Sequence, residues 1–383
     1  SPGRRVSSIV MRIAISTAGN LPAFFGAVHS ARAVVAARET PGPGIGYPRP
    51  VRDESPARIV QAALARRAAL IEELAPDTDC WRLVHGDGDG ADGLTADRYG
   101  PVLLVERHAR GVDAGGLVRA LAGAFGDRAP ILLKEREGRD ARGFALCRAA
   151  GPPAEADLVV RERALAFRVD LAGQEHTGLF LDARAARRAA TRLAPGARVL
   201  NLFAYTGAFG AAAAAAGARS TTNVDNKRSA LERARENYAR NRLAADTRTF
   251  LADDAIRFLN RAARGRGEHD LVIVDPPPRF RRPGGKRFDA KSGFGRLIAR
   301  CARIVAPGGA ILAGLNAGRV SDAAFCEALV AGTRDAGRSV ERLERVVNDA
   351  DFPPSRSRPT ARFAVVRLAR EPAGDGATRG TGR

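Results

Sequence analysis

Between residues 199 and 337 short apolar runs and amphipathic stretches take turns along the chain, and no other feature restricts its fold as much. The pattern predicts strands at 199–203, 221–225, 247–251, 271–275 and 310–314. Helices are expected at about 208–216, 227–241, 255–264, 293–305 and 322–337, and two closing strands at 340–347 and 361–368. Strands alternating with helices build a parallel sheet covered on both faces, a doubly wound α/β fold of Rossmann-like type. In such a sheet ligands sit beyond the carboxyl ends of the strands.

Upstream the period changes. Val60, Ala63, Leu64, Ala68, Ile71 and Leu74 recur at helical spacing, so 54–74 reads as an amphipathic helix. Short strands at 81–84, 94–97 and 102–106, a helix at 115–125, a strand at 131–134 and a hairpin of 159–161 with 166–171 follow, separated by Gly/Asp turns. Residues 55–172 are therefore expected to form a smaller α+β domain ahead of a catalytic domain at 173–370. Residues 1–54 read as an extension and 371–383 as a tail, both without stable structure. Met11 is the single methionine and the natural initiator, and Arg12, Arg32, Arg38 and Arg49 against Glu39 give the stretch after it a secondary reading as an organelle transit peptide.

A net charge of +20 points to a polyanionic partner, because cations that neutralise phosphates release counterions on binding. Lysine is nearly absent and Ala, Gly and Arg are abundant, so part of that charge reflects a GC-rich coding bias. Cys80, Cys147, Cys301 and Cys326 stand far apart without a CxxC pair, which excludes a disulfide framework and a zinc ribbon and fits a reducing compartment. No apolar run reaches the roughly 18 residues that a membrane span needs, so a cytoplasmic protein is expected. Asp87 and Asp89 resemble the start of a calcium loop, but Ala91, Asp92 and Arg98 stand where that loop requires a ligand, a glycine and a glutamate. These residues read as turns, and no metal site is expected. The sequence specifies no oligomeric state.

The chemistry concentrates at the strand ends. Asn201-Leu202-Phe203-Ala204-Tyr205-Thr206-Gly207 lies where the first strand turns into its helix, and Gly207 supplies a small residue where backbone must approach a ligand. Eighteen residues beyond Gly207 the second strand ends in Asp225, placed to accept hydrogen bonds from a ribose diol. Asp253 and Asp254 follow the third strand, and Asp275-Pro276-Pro277 ends the fourth. The turn lacks the GxGxxG set that seats a pyrophosphate, which argues against a dinucleotide and for a nucleoside cofactor without phosphate, S-adenosylmethionine.

These residues, with 176–184 (His-Thr-Gly-Leu-Phe-Leu-Asp-Ala-Arg) and 81–100, resemble the large-subunit (23S) ribosomal RNA methyltransferases, class I enzymes that include a cytosine-C5 enzyme and a guanine-modifying one. The resemblance spans about residues 57–370. It implies that Thr177, Phe180, Asn201, Phe203, Tyr205, Gly207, Asp225, Asp254 and Asp275 line the S-adenosylmethionine site, that Asp275 and Pro276 face the methyl group and target base, and that 57–172 helps hold RNA. The family's N-terminal RNA-binding PUA module has no counterpart in the 11–50 stretch. His176 stands where the family has lysine, and reads as a structural residue. The Asp275–Phe280 stretch is one residue longer than the family's Asp-Pro-Pro-x-Phe.

Methylation at cytosine C5 requires a cysteine thiolate to add at C6 first. Asn316 occupies the place of the family's cysteine, as it does in the guanine-modifying relatives, so a nitrogen acceptor is favoured and Asn316 is expected to hold the base edge. Cys301 and Cys326 fall in predicted helices and read as structural thiols. Arg279, Phe280, Arg281, Arg282, Lys286 and Arg287 form a basic loop with aromatics beside Asp275, suited to phosphate contacts and to stacking on a base extruded from structured RNA. Two other readings stay open: a methyltransferase for a protein or small-molecule amine, and an RNA-binding homologue without activity.

Overall fold

The computed structural model describes residues 55–109, 112–126, 129–139, 145–150, 158–172, 176–265, 269–281, 287–316 and 320–370. The expected extension and tail, Arg282, Lys286 and the side chain of Arg281 lie outside these.

The first unit opens with α1 (Pro56–Leu74), whose Ile59, Val60, Ala63 and Leu74 are buried. It continues through β1 (Cys80–His85), β2 (Leu94–Tyr99), β3 (Val102–Arg107), α2 (Ala114–Phe125), β4 (Ile131–Arg139) and β5 (Ala145–Ala150). The five strands form one sheet in chain order, with β3 and β4 its parallel pair. Because side chains alternate across a strand, Trp81, Leu83, Leu103 and Val105 face α1 and α2, while Cys80, Tyr99, Leu104 and Leu132 belong to a different cluster. That second cluster also holds Leu231, Ala234 and Tyr238 of the next unit. The hairpin of β6 (Leu158–Glu162) and β7 (Leu165–Val169) extends the same junction.

The second unit runs α3 (Arg184–Leu193), β8 (Arg198–Leu202), α4 (Ala208–Ala215), β9 (Ser220–Asp225), α5 (Arg228–Arg240), β10 (Phe250–Ala252), α6 (Ala255–Ala262) and β11 (His269–Val274). After it come a small hairpin of β12 (Arg279–Arg281) and β13 (Arg287–Asp289), then α7 (Ala290–Ala302), β14 (Val305–Leu315), α8 (Asp322–Asp335), β15 (Val340–Val346) and β16 (Arg362–Leu368). The seven-stranded sheet has the order β10-β9-β8-β11-β14-β16-β15. Strands β8 to β11 and β14 are parallel, and β16 runs antiparallel to both β14 and β15. Leu271, Val272, Ile273 and Val274 of the central strand are fully buried, each contributing about 1.5–3 kcal/mol of apolar burial. The strand order reverses between β8 and β11, the crevice where an α/β sheet holds its ligand.

This is the doubly wound sheet the alternation predicts. Some elements differ. Within the stretch expected as a loop, Arg279–Arg281 pair with Arg287–Asp289 as β12–β13, and β5 is a strand and α3 a helix where the sequence pattern predicts neither. The turn at Gly86–Asp89 commits its acids to protein: Asp89 takes Arg67 at 2.5 Å and Arg66, and Asp87 accepts from Ser355, Ser357 and the Arg356 amide.

Charged groups as well as apolar packing bridge the two units. Arg184, 1% exposed, reaches Asp351 at 2.9 Å and Asp349 at 3.2 Å, and Arg187 clasps Glu162 through two 2.6 Å bonds. Arg82 donates its backbone amide to Asp351, and Arg67 donates to the Asp351 carbonyl, so the 349–351 segment is held from both units. Among the described residues no helix is long and apolar enough to cross a membrane, and no group of three or more His, Cys, Asp or Glu side chains could hold a metal.

Candidate active site

The loop after β8 departs from ordinary backbone. Phe203, Tyr205 and Gly207 all have positive φ, at 57°, 50° and 75°. Only glycine adopts that region without cost, so the two aromatic residues must be held there by their surroundings. Asp225, at the end of β9, does part of this: its Oδ2 accepts the Tyr205 amide at 2.9 Å and its Oδ1 accepts the Lys227 amide at 2.8 Å. Gly207 has a reason other than the expected approach to a ligand. A Cβ there would stand 2.8 Å from the Cβ of Ala234, so the glycine lets α4 and α5 touch.

Segment 176–180 closes over this loop. The Thr206 hydroxyl donates to the Gly178 carbonyl at 2.5 Å, and the Thr177 hydroxyl bonds the Tyr99 hydroxyl of β2 at 3.0 Å. The Tyr205 ring lies 5.6 Å from Phe180, which in turn lies 5.3 Å from the His176 ring. Phe180 is 43% exposed, unusual for so large an apolar group, and leaves an aromatic face open to a ligand. Burial pushes the Tyr205 phenol up, with Arg233 opposing, so it stays a neutral hydrogen-bonding group at physiological pH.

Two expected cofactor residues spend side-chain bonds within the protein. Asn201 is 2% exposed and gives its amide to Asn223 at 2.9 Å, within a buried network with Tyr238. Its side chain braces β8 against β9, because a polar group inside a sheet needs an internal partner. Asp254 is buried and caps α6, accepting the Arg257 amide at 2.8 Å.

Asp275 directly follows β11 and differs from both carboxylates. Among the described residues no hydrogen-bond donor reaches it. Burial pushes its pKa up to about 7, the neighbouring Asp182 carboxylate adds to this, and Arg187 pulls the other way. Space for the carboxylate comes from Gly314 on the adjacent β14, where a Cβ would collide with Asp275 Oδ1. Gly314, Asp182 and Arg187 act on Asp275, roles that the sequence reading does not assign to them. A glycine inside an apolar strand is the available signal for Gly314, since it marks close approach of another group. Pro276 is buried, and Asn316 is exposed one residue past the end of β14.

On the β12–β13 hairpin Phe280 stacks on Phe288 at 4.6 Å and meets the Phe203 ring edge-on at 5.2 Å. Its ring thus packs inward as well as bordering the site. Arg279 is 84% exposed and pairs with Asp289 at 3.1 Å, and Arg287 is exposed. The thiols lie apart: Cys80 and Cys301 are buried, with burial raising the pKa of both, and Cys326 is half-buried in α8.

Residues 93–366 match the family model described as S-adenosylmethionine-dependent methyltransferase. The chain belongs to this family. It is 32% identical over 279 residues to the ribosomal RNA large subunit methyltransferase I of Salmonella arizonae, covering 72% of this chain and 69% of that protein. To the protein of the same name from Klebsiella pneumoniae it is 31% identical over 303 residues, 77% and 74% of the two chains. Among solved structures it is similar to a methyltransferase complexed with SAH, with a TM-score of 0.72 and 25% identity over 83% of each chain. An S-adenosylmethionine-dependent methyltransferase from Streptococcus mutans gives 0.70 and 24% over 81% of this chain and 80% of that one. The chain is therefore a methyltransferase that uses S-adenosylmethionine, and the doubly wound fold is the one its relatives share. The residues present suit that cofactor: a strand-end carboxylate and open aromatic faces meet a nucleoside without phosphate, and a partly buried carboxylate meets a cationic methyl donor.

Proposed function

We propose that this enzyme methylates a base of large-subunit ribosomal RNA at a nitrogen atom. The observations that carry the nitrogen assignment are Asp275, a carboxylate with no hydrogen-bond donor among the described residues, and the asparagine, not a cysteine, at position 316 just past the end of the neighbouring strand β14. Methyl transfer to carbon C5 of cytosine needs a thiolate beside the base, and the cysteines whose environment is described are buried or lie in α8. The RNA assignment rests on the relatives' names and on the basic stretch of sequence with Arg279, Phe280, Arg281, Arg282, Lys286 and Arg287. Residues 55–172 act as the RNA-holding domain in this reading, and 173–370 as the catalytic one.

The cofactor supplies a methyl group on a positively charged sulfur. Asp225, Tyr205, Phe203, Phe180, Thr177 and Gly207 hold the cofactor side. Asp275 and the Pro276 carbonyl accept hydrogen bonds from the acceptor N–H and so turn its lone pair toward the methyl. As the nitrogen–carbon bond forms, the nitrogen's proton passes to Asp275, whose raised pKa matches a proton acceptor working near neutrality. Asn316 fixes the base edge. The rest of the rate comes from positioning. A test is incubation with cofactor and 5-fluorocytidine-substituted ribosomal RNA, followed by denaturing electrophoresis. C5 enzymes leave a covalent adduct. Labelled methyl entering RNA without an adduct is the expected result, and an adduct abolished by Cys326→Ser contradicts the nitrogen assignment.

A further inference from the structure

The β12–β13 hairpin and the cofactor loop share a stack of three rings. Phe288 is 8% exposed and rooted in the main core, and a Cβ on Gly293 would stand 2.7 Å from its ring, so that glycine is what admits it. Phe280 lies opposite Phe288 in the antiparallel register and stacks on it with an interplanar angle of 29°. Phe203 then meets Phe280 edge-on at 63°. Opposite residues in a hairpin share a face. Arg279, Asp289 and Arg287 therefore fall on the face away from the rings.

Phe203 occupies the left-handed region at φ 57°, where a bulky residue stays only if its neighbours hold it. The Tyr205 amide two residues on is held by Asp225, while the Phe203 side chain is half-buried with Phe280 as a ring partner. The hairpin itself is fixed to the fold at its base by the Ala290 amide donating to the Pro278 carbonyl at 2.9 Å and by Asp289 capping α7. The ring contact therefore joins two segments that would meet different ligands.

We propose that Phe280 is a positioning residue that couples polyanion binding on the hairpin to cofactor binding in the Phe203–Gly207 loop. A ligand that tightens the ring contact from either segment favours the arrangement that the other ligand meets, and such coupling is reciprocal by thermodynamic necessity. Cofactor bound first raises affinity for RNA, and RNA bound first raises affinity for cofactor by the same factor. The proposal rests on the reading of this loop as cofactor-binding and of the hairpin as RNA-binding.

Its test uses the full chain, SAH as the cofactor probe and large-subunit ribosomal RNA as the polyanion. Affinity for RNA is measured with and without saturating SAH, for the wild type, Phe280→Ala and Phe280→Tyr. The wild type is expected to bind RNA about fivefold to a hundredfold more tightly with SAH, the usual range of coupling between sites. Phe280→Ala should bring that ratio to about one, and Phe280→Tyr, which keeps the ring, should restore it. SAH binding by Phe280→Ala is measured alongside by calorimetry, and a ratio of one counts as lost coupling only in a variant that still binds SAH. A wild-type ratio of one, or an undiminished ratio in Phe280→Ala, overturns the coupling. Absence of SAH binding to the wild type overturns instead the cofactor reading on which it rests.

Discussion

The two halves of the site are built on opposite plans. On the proposed cofactor side Asp225 is already engaged, holding two backbone amides. On the acceptor side Asp275 sits in a crevice made by Gly314, with no donor among the described residues and its pKa raised to about 7. A half that binds the same molecule at every turnover can be fixed in advance by its own hydrogen bonds. A half that exchanges a proton must keep its polar group unsatisfied until the substrate arrives, because a pre-paired carboxylate is too weak a base.

Substitution at Asp275 should therefore damage the chemistry far more than the binding. In Asp275→Asn, kcat is expected to fall by about a hundredfold to ten-thousandfold, the scale for removing a general base, with SAH affinity nearly unchanged by calorimetry. The same variant separates the two halves by pH. Wild-type kcat/KM should rise as pH passes upward through about 7 and Asp275 ionises, and the variant should show a flat profile over that window. Stability has the opposite slope. An acid whose pKa is raised in the native state keeps its proton while the unfolded chain loses its own above about 4, so wild-type stability falls between about pH 4 and 7. Asp275→Asn should remove that fall, and thermal melts at pH 8 should show it more stable than wild type by on the order of 2 kcal/mol.

The next effect in size concerns what holds the halves in register. Asp351 is fully buried between Arg184, Arg82 and Arg67. Asp351→Ala leaves Arg184 without its nearest partner and is expected to cost about 3–5 kcal/mol in chemical denaturation. A cost under about 1 kcal/mol would mean that the bonds of Asp351 contribute little to the junction of the two units.

Asp225→Ala tests the pre-paired half. It frees the Tyr205 and Lys227 amides as well as removing the cofactor's acceptor, and hydrogen bonds to a charged group are worth about 1.5–3 kcal/mol each. Calorimetry should show SAH affinity lower by at least about tenfold, and kcat at saturating cofactor within a few-fold of wild type. Equal damage to binding and to turnover would erase the distinction between the halves. The smallest effect is expected from the hairpin charges: Arg279→Ala with Arg287→Ala should flatten the dependence of log RNA affinity on log salt by roughly 0.7–0.9 for each phosphate that is no longer neutralised.

What is legible in the sequence depends on the range of the interactions. The strand–helix alternation and the strand-end positions of Asp225 and Asp275 are local signals, and the sheet confirms their order. The hairpin is hidden because each strand is only three residues long, too short for its alternation to stand out, and because Phe280 meets Phe288 on the other strand. Asn201 resembles a site residue because it lies near a strand end beside a loop. Its burial depends on Asn223, 22 residues away on the next strand. The ion pairs of Arg184 with Asp349 and Asp351 join residues more than 160 positions apart and leave no local trace at all.

The most direct test of proton transfer to Asp275 from a base nitrogen is nucleoside mass analysis of large-subunit ribosomal RNA methylated in vitro by the purified chain with isotope-labelled S-adenosylmethionine. The expected result is a single labelled nucleoside carrying its methyl on a base nitrogen, formed by the wild type and not by Asp275→Asn. Labelled 5-methylcytidine, or labelled product from Asp275→Asn at the wild-type rate, would contradict it.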